Sequence, residues 1–164
     1  MESLIYEIDC AINESYKKEL KPTFRLNAYS DIRWEKEYIN NGKNIFDLFP
    51  DVTYYDYTKL LNRITPDNYQ LTYSHYNPDF KDTSKALKSG LNSAIVFEKL
   101  PKYITIDSIK YAVVNGDLTD LRIDEKINGK SVVVGLKFKG SKVKLNKAII
   151  EGFAISKENN SLTY

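Results

Sequence analysis

At 164 residues the chain is long enough to bury roughly two thirds of the surface that it exposes unfolded. One cysteine, Cys10, and one histidine, His75, exclude an internal disulfide and a Cys/His zinc site, and no metal site is expected. Lys and Arg number 24 against 22 Asp and Glu, and a net charge of +2 excludes nucleic-acid binding driven by bulk electrostatics. A local basic patch remains, because Lys137, Lys139, Lys142, Lys144 and Lys147 crowd into one short stretch. Such a run serves either as an anion site or as a solvated edge that discourages strand pairing. No basic-then-apolar leader opens the chain, and no apolar run approaches the roughly 18 residues that cross a bilayer. The expectation is a cytoplasmic protein with no membrane partner.

In chain order, the first predicted element is a helix over Ser3 to Leu20, since Leu4, Ile5, Ile8, Ala11, Ile12 and Tyr16 recur at three- and four-residue spacing. Lys21-Pro22 ends it. Thr23 to Tyr29 reads as a strand, followed by a helix holding Ile32, Trp34, Glu35, Tyr38 and Ile39 that stops at Asn41-Gly42. Asn44 to Phe49 gives a helical turn or two, and Val52 to Tyr57 a β-branched and aromatic strand. A short helix over Leu60 to Ile64, a strand over Tyr69 to Tyr73 and a loop at Asn77-Pro78 come next. A helix capped by Asp82 or Thr83 and ended by Gly90 then leads to a strand over Ala94 to Phe97.

Beyond Pro101 the texture changes. Tyr103 to Ile109, Tyr111 to Val114, Val132 to Leu136 and Ile149 to Ile155 are strand-like with no strong helix between them, and Asn128-Gly129 marks a hairpin. The reading is α/β: a partial barrel-like or open sheet built from βα units over about 24–99, a mixed or antiparallel β extension over about 103–155, and an N-terminal helix. We expect a single domain over 1–164, divided into the helix at 1–21, the βα units at 22–100 and the β-rich extension at 101–164.

In parallel sheets ligands collect outside the carboxyl ends of the strands. Those ends deliver Asn27, Ser30 and Asp31; then Asp56, Thr58 and Lys59; then Ser74 and His75; then Glu98 and Lys99; and later Asn115, Asp117, Asp120 and Arg122. If they share one pocket, Asp31, Asp56, Lys59 and His75 offer acid/base or nucleophilic chemistry. Asn27, Ser30, Thr58, Ser74, Asn115, Asp117, Asp120, Arg122, Lys137 and Lys139 would bind ligand. The competing reading gives the Asp and Ser residues to helix caps and turns, and His75 to a loop edge. The Asn115 to Arg122 stretch carries oxygens at calcium-like spacing but lacks the glycine and terminal glutamate of an EF-hand loop. No phosphate loop, dinucleotide fingerprint, nucleophile elbow or zinc-protease motif occurs.

Phe24-Arg25-Leu26-Asn27 with Ser30-Asp31-Ile32 and Trp34-Glu35, Asp47-Leu48-Phe49-Pro50 and Tyr55-Asp56-Tyr57-Thr58-Lys59 form an ordered set. It continues through Asn68-Tyr69, Leu71-Thr72 and Ser74, Asn115-Gly116-Asp117 with Asp120-Leu121-Arg122, and Gly135-Leu136-Lys137 with Lys139-Gly140. The set resembles an uncharacterised family of phage and plasmid proteins whose longer members carry an upstream cysteine-rich segment. The resemblance implies a mobile-element origin, a portion of a barrel-like α/β fold and shared strand-end positions, but no activity. This chain resembles a short form: with Cys10 alone, iron–sulfur chemistry does not carry over, and the cofactor is left unassigned. Two functions stay open: binding or processing of a small phosphorylated ligand, nucleotide or nucleic acid, and non-catalytic occlusion of a host or defence protein. A virion component is a third.

Overall fold

The computed structural model describes residues 2–39 and 42–164. Among the described residues nine strands form a mixed, open sheet that does not close into a barrel. Two compact units are recognised, Met1–Asp56 with Asn62–Gln70, and Tyr57–Leu61 with Leu71–Tyr164. Each is described in turn.

In the first unit the helix α1 (Glu2–Lys17) buries Ile8 and Ile12 on one stripe, as the apolar spacing requires. It ends when Glu19 enters the left-handed region (φ 55°) and the Leu20 N–H reaches back to the Ser15 carbonyl, which satisfies an orphan carbonyl without a glycine. The strand β1 (Thr23–Phe24) pairs in parallel with β2 (Thr53–Thr58). The helix α2 (Ile45–Leu48) begins at a reciprocal cap, Asn44 receiving the Asp47 amide while Asp47 receives the Asn44 amide. Ile45, Phe46, Val52, Tyr54 and Tyr69 are buried, with the Phe46 ring stacked on Tyr69 at 4.5 Å and edge-on to Tyr54 at 4.9 Å.

The second unit is built on β4 (Asn92–Phe97), flanked on one edge by β9 (Val133–Lys137) in parallel. The strand β3 (Tyr69–Ser74) pairs with β4 in parallel through the crossover helix α3 (Lys81–Lys88), and β6 (Ile109–Asn115) pairs with β9 in parallel. Antiparallel pairing enters with β5 (Tyr103–Ile106) against β6 and β11 (Leu162–Thr163) against β5. A separate hairpin of β7 (Lys126–Ile127) and β8 (Lys130–Ser131) turns at Asn128-Gly129, both at positive φ, as that dipeptide requires. The helix α4 (Lys142–Ile150) leads to β10 (Ala154–Ile155). Leu87, Ile95, Phe97, Ile104, Ile106, Tyr111, Val133 and Ile155 form the core.

Several element boundaries differ from the sequence reading. The strand expected over Thr23 to Tyr29 keeps two residues, because the Asn27 amide turns to the Asp56 side chain instead of extending the ladder. The helix expected around Ile32 to Ile39 shrinks to a 3-10 turn at Trp34–Lys36, and its stop at Asn41-Gly42 falls partly outside the described residues at Asn41. Leu60 to Ile64 is not helical: Thr58 Oγ1 accepts the Leu60 amide, and Asn62 sits at φ 59°. The α3 helix starts at Lys81 with neither Asp82 nor Thr83 as its cap. Conversely α4 occupies part of a segment read as strand, started by Ser141, whose hydroxyl accepts the Lys144 amide.

Candidate functional site

Alternation along β2 places Tyr54, Asp56 and Thr58 on its buried face, so a carboxylate lies in the interior at 0% exposure. Asp56 Oδ1 accepts the Asn27 backbone N–H at 2.8 Å, and Oδ2 accepts the Asn27 side-chain amide at 3.2 Å and the Tyr69 hydroxyl at 2.8 Å. The Asn27 carbonyl oxygen in turn accepts Ser30 Oγ (2.8 Å), the Ile32 amide (3.2 Å) and the Trp34 indole (3.1 Å). Burial pushes the Asp56 carboxyl above the ordinary range, and the Asn27 and Tyr69 hydrogen bonds oppose that shift. Burial, with the Asp56 charge adding to it, also raises the Tyr69 hydroxyl and keeps it a donor.

Arg63 closes the same network. Its Nε and Nη2 donate to Glu35 Oε1 and Oε2 at 3.0 and 2.6 Å, its Nη1 donates to Asp31 Oδ1 at 3.1 Å, and Nη2 also reaches the Tyr69 hydroxyl at 3.3 Å. Burial, the largest single influence, disfavours this guanidinium charge, yet the hydrogen bonds and charges of Glu35 and Tyr69 together outweigh it and leave its pKa raised. Of the residues singled out by sequence, Asn27, Ser30, Asp31 and Asp56 are therefore brought together. Glu35, Arg63 and Tyr69 complete them and were missed. Glu35 and Tyr69 sit inside segments that carried the family resemblance, whereas Arg63 follows no recognisable motif.

Lys59, Ser74 and His75 lie in the second unit. Lys59 Nζ stands 5.2 Å from the centre of the Tyr76 ring. One edge of β4 is shared: β3 covers Asn92 to Ala94, the His75 amide makes the last bond to Ala94 at 3.0 Å, and β10 takes over at Val96 and Phe97. Where the two strands part, a cleft of about 140 Å³ opens outside the carboxyl end of β3. Pro78, Phe80, Ile149, Ala154 and Ile155 supply apolar walls, and His75, Ser156 and Asn159 supply polar groups. Gly152 also borders it at φ 76°, where a Cβ would meet the Pro78 nitrogen at 2.3 Å. Only glycine lets the two backbones approach this closely.

His75 is 5% exposed, stacks on Phe80 at 4.7 Å and places Nδ1 2.8 Å from Thr83 Oγ1. Thr83 thus fixes the imidazole through Nδ1. Burial lowers the imidazole pKa from 6.5 to about 4, against the opposing charge of Asp79, so the ring is neutral at neutral pH. The folded state then binds fewer protons than the unfolded state as pH falls, so His75 is expected to cost stability progressively between pH 6.5 and 4. That loss reaches about 3 kcal/mol at the acid end. Urea midpoints measured across this window should fall further for wild type than for His75→Gln; parallel curves would contradict a buried neutral imidazole.

The stretch after β6 is latched from inside. Arg122, at 3% exposure, donates to the Tyr57 hydroxyl and the Gly116 carbonyl, both at 2.6 Å, and to Glu125 Oε1 at 3.2 Å. Asn115 Oδ1 accepts the Asp117 amide at 3.0 Å. Asp117 accepts the Lys137 amide at 2.8 Å and pairs with Lys139 at 3.0 Å, contacts that lower its pKa. Asp120 is exposed and Thr58 is buried. Among the described residues no group of three His, Cys, Asp or Glu side chains could hold a metal, and no helix is long and apolar enough to cross a membrane.

An open, mixed sheet with an N-terminal helix defines an α/β protein, with a buried Asp–Arg network in its first unit and a cleft at a strand fork in its second. The model of one family, gene product 88, matches residues 1–157. The chain belongs to that family of phage-type gene products. No curated protein and no solved structure matches it.

Proposed function

We propose that this gene product 88 protein binds nucleotides or nucleic acid in the host cytoplasm by seating a nucleobase in the cleft at the end of β3. The observation that carries the reading is the composition of the lining: apolar walls, a neutral imidazole and an amide, with no lysine or arginine. Such a lining suits an uncharged heterocycle better than a phosphate. Its volume, about 140 Å³, lies below the roughly 300 Å³ at which pockets for whole drug-sized ligands begin, and suits a single ring system. The His75 Nε2 and the Asn159 amide provide hydrogen bonds to the base edge. The role of Asp31 and Asp56 in this reading is to fix the segment after β1, since their oxygens are engaged by Asn27, Arg63 and Tyr69.

Calorimetric titration with adenosine, guanosine, cytidine and thymidine tests it. At least one nucleoside should bind, inorganic phosphate should not compete, His75→Ala should abolish binding and His75→Gln should retain part of it. Phosphate competition, or His75→Ala binding as wild type does, would contradict the reading. A second reading, occlusion of a host or defence protein, is favoured by a groove of about 220 Å³ where α1 meets β1, with Leu4, Ile8, Phe24, Leu26 and Trp34 as apolar walls and Glu7 and Arg25 as charged ones. An occluding protein gives no nucleoside response.

A further inference from the structure

Bonds already made within the protein set the hydrogen-bonding sense of the cleft lining. Asn159 Oδ1 accepts the Ser161 amide at 2.9 Å and the Ser161 hydroxyl at 2.6 Å. A backbone N–H only donates, so the amide oxygen is the atom turned to Ser161, and the side-chain NH2 is what Asn159 offers at the exposed rim of the cleft. No described group accepts a hydrogen bond from that NH2. Ser156 gives its proton to Glu98 Oε2 at 3.4 Å and accepts the Glu158 amide at 3.3 Å. The carbonyls of Phe80, Ile149, Ile155, Ser156 and Asn159 each already accept a backbone amide. Among the described residues that line the cleft none is Asp or Glu. The His75 ring, neutral and held by Thr83 through Nδ1, has one nitrogen left and supplies at most one acceptor. The lining thus offers two unused donors and no pair of side-chain acceptors.

We infer that the cleft takes an imide base, uracil or thymine, and that Asn159 is the residue that selects it. This rests on the reading of the cleft as a base site. Uracil and thymine are the nucleobases without an exocyclic amino group, and their pairing edge shows a carbonyl, one N–H and a second carbonyl. A carbonyl suits the Asn159 NH2, and the one N–H needs a single acceptor, which a neutral imidazole supplies. Adenine, cytosine and guanine each bring an NH2 with two hydrogens to satisfy. An amino group turned to this lining gives up water without replacement. Both imide bases are also single six-membered rings, in keeping with a cleft of about 140 Å³. Because Asn159 is exposed, water offsets part of the mismatch, so the expected discrimination is about tenfold, well short of the roughly 10⁴-fold reached by enclosed hydrogen-bonding sites.

The test is calorimetric titration of the full chain with uridine, thymidine, cytidine, adenosine and guanosine. Uridine and thymidine should bind about tenfold more tightly than the other three. Uridine methylated at the imide nitrogen should bind as weakly as cytidine. Asn159→Asp keeps an oxygen for both Ser161 bonds and puts a carboxylate oxygen where the NH2 stood. It should weaken uridine by about tenfold and bring cytidine above it, a reversal that a general loss of structure does not produce. Equal affinity of the wild type for all five nucleosides, a preference for an amino base, or an unchanged uridine-to-cytidine ratio in Asn159→Asp would overturn the inference while leaving the base-site reading intact. If no nucleoside binds to the wild type, that reading fails and the inference falls with it.

Discussion

Arg63→Met is expected to lower the unfolding free energy by about 3–5 kcal/mol. The guanidinium side chain is 1% exposed and faces Glu35, itself 7% exposed, and Asp31. Methionine fills much of the same volume, so the loss would come from the charges, not from a cavity. Glu35, at 7% exposure, would lose both hydrogen bonds from Arg63 while still withdrawn from water, and Asp31, at 28%, would lose one; a buried charge without its partner is among the costliest defects a fold can carry. Arg63→Lys restores the charge but not the planar fork that engages both Glu35 oxygens, so it should recover only part of the loss. Urea unfolding of the three proteins measures this. A loss below about 1 kcal/mol for Arg63→Met would place the pair among solvated surface bridges.

Asp56→Ala should rank next, at about 3 kcal/mol or more. Alanine removes the acceptor of three donors at once: the Asn27 backbone N–H, the Asn27 amide and the Tyr69 hydroxyl. Leaving a buried donor unsatisfied costs about 1–3 kcal/mol, and none of these three has water to turn to at a site of 0% exposure. Asp56→Asn keeps the volume and one oxygen, but its NH2 would face donors, so it should fall between Ala and wild type. The double variant Asp56→Ala/Tyr69→Phe removes one orphaned donor and should be less destabilised than the sum of the singles. Strict additivity in this cycle would mean that the hydroxyl and the carboxylate are not coupled.

Local periodicity made much of the fold legible. The α1 stripe, the β-branched and aromatic composition of β2, the strand segments at β3 and β4 and the Asn128-Gly129 turn all follow from short-range rules, and all are present. The α/β class and the mixed sheet follow as well. Failures came where a distant partner overrides a local preference. Thr23 to Tyr29 has strand composition, yet the Asn27 amide is claimed by Asp56, 29 residues away. Leu60 to Ile64 has helical composition, yet Arg63 is drawn to Glu35, 28 residues back.

Strand-end logic put Asn27, Ser30, Asp31 and Asp56 in one set with Lys59, Ser74 and His75, because it reads which residues emerge at strand ends; the first four share one hydrogen-bond network. It does not read whether their hydrogen-bonding capacity is consumed internally. Arg63 was the consuming partner, and nothing in Asn62-Arg63-Ile64 announces it. The cleft was illegible for a related reason. It exists because β10, far along the chain, replaces β3 on one edge of β4. Only His75 among its lining residues is singled out by the sequence, as a polar group at the end of the strand over Tyr69 to Tyr73.

The cleft as a base site is tested most directly by following the backbone amide resonances of the isotope-labelled full chain during titration with the four nucleosides. Shifts are expected to concentrate at His75 to Phe80 and at Ile149 to Asn159, to saturate, and to vanish in His75→Ala. Unmoved resonances at millimolar nucleoside, or shifts centred elsewhere and unaffected by His75→Ala, would contradict the account.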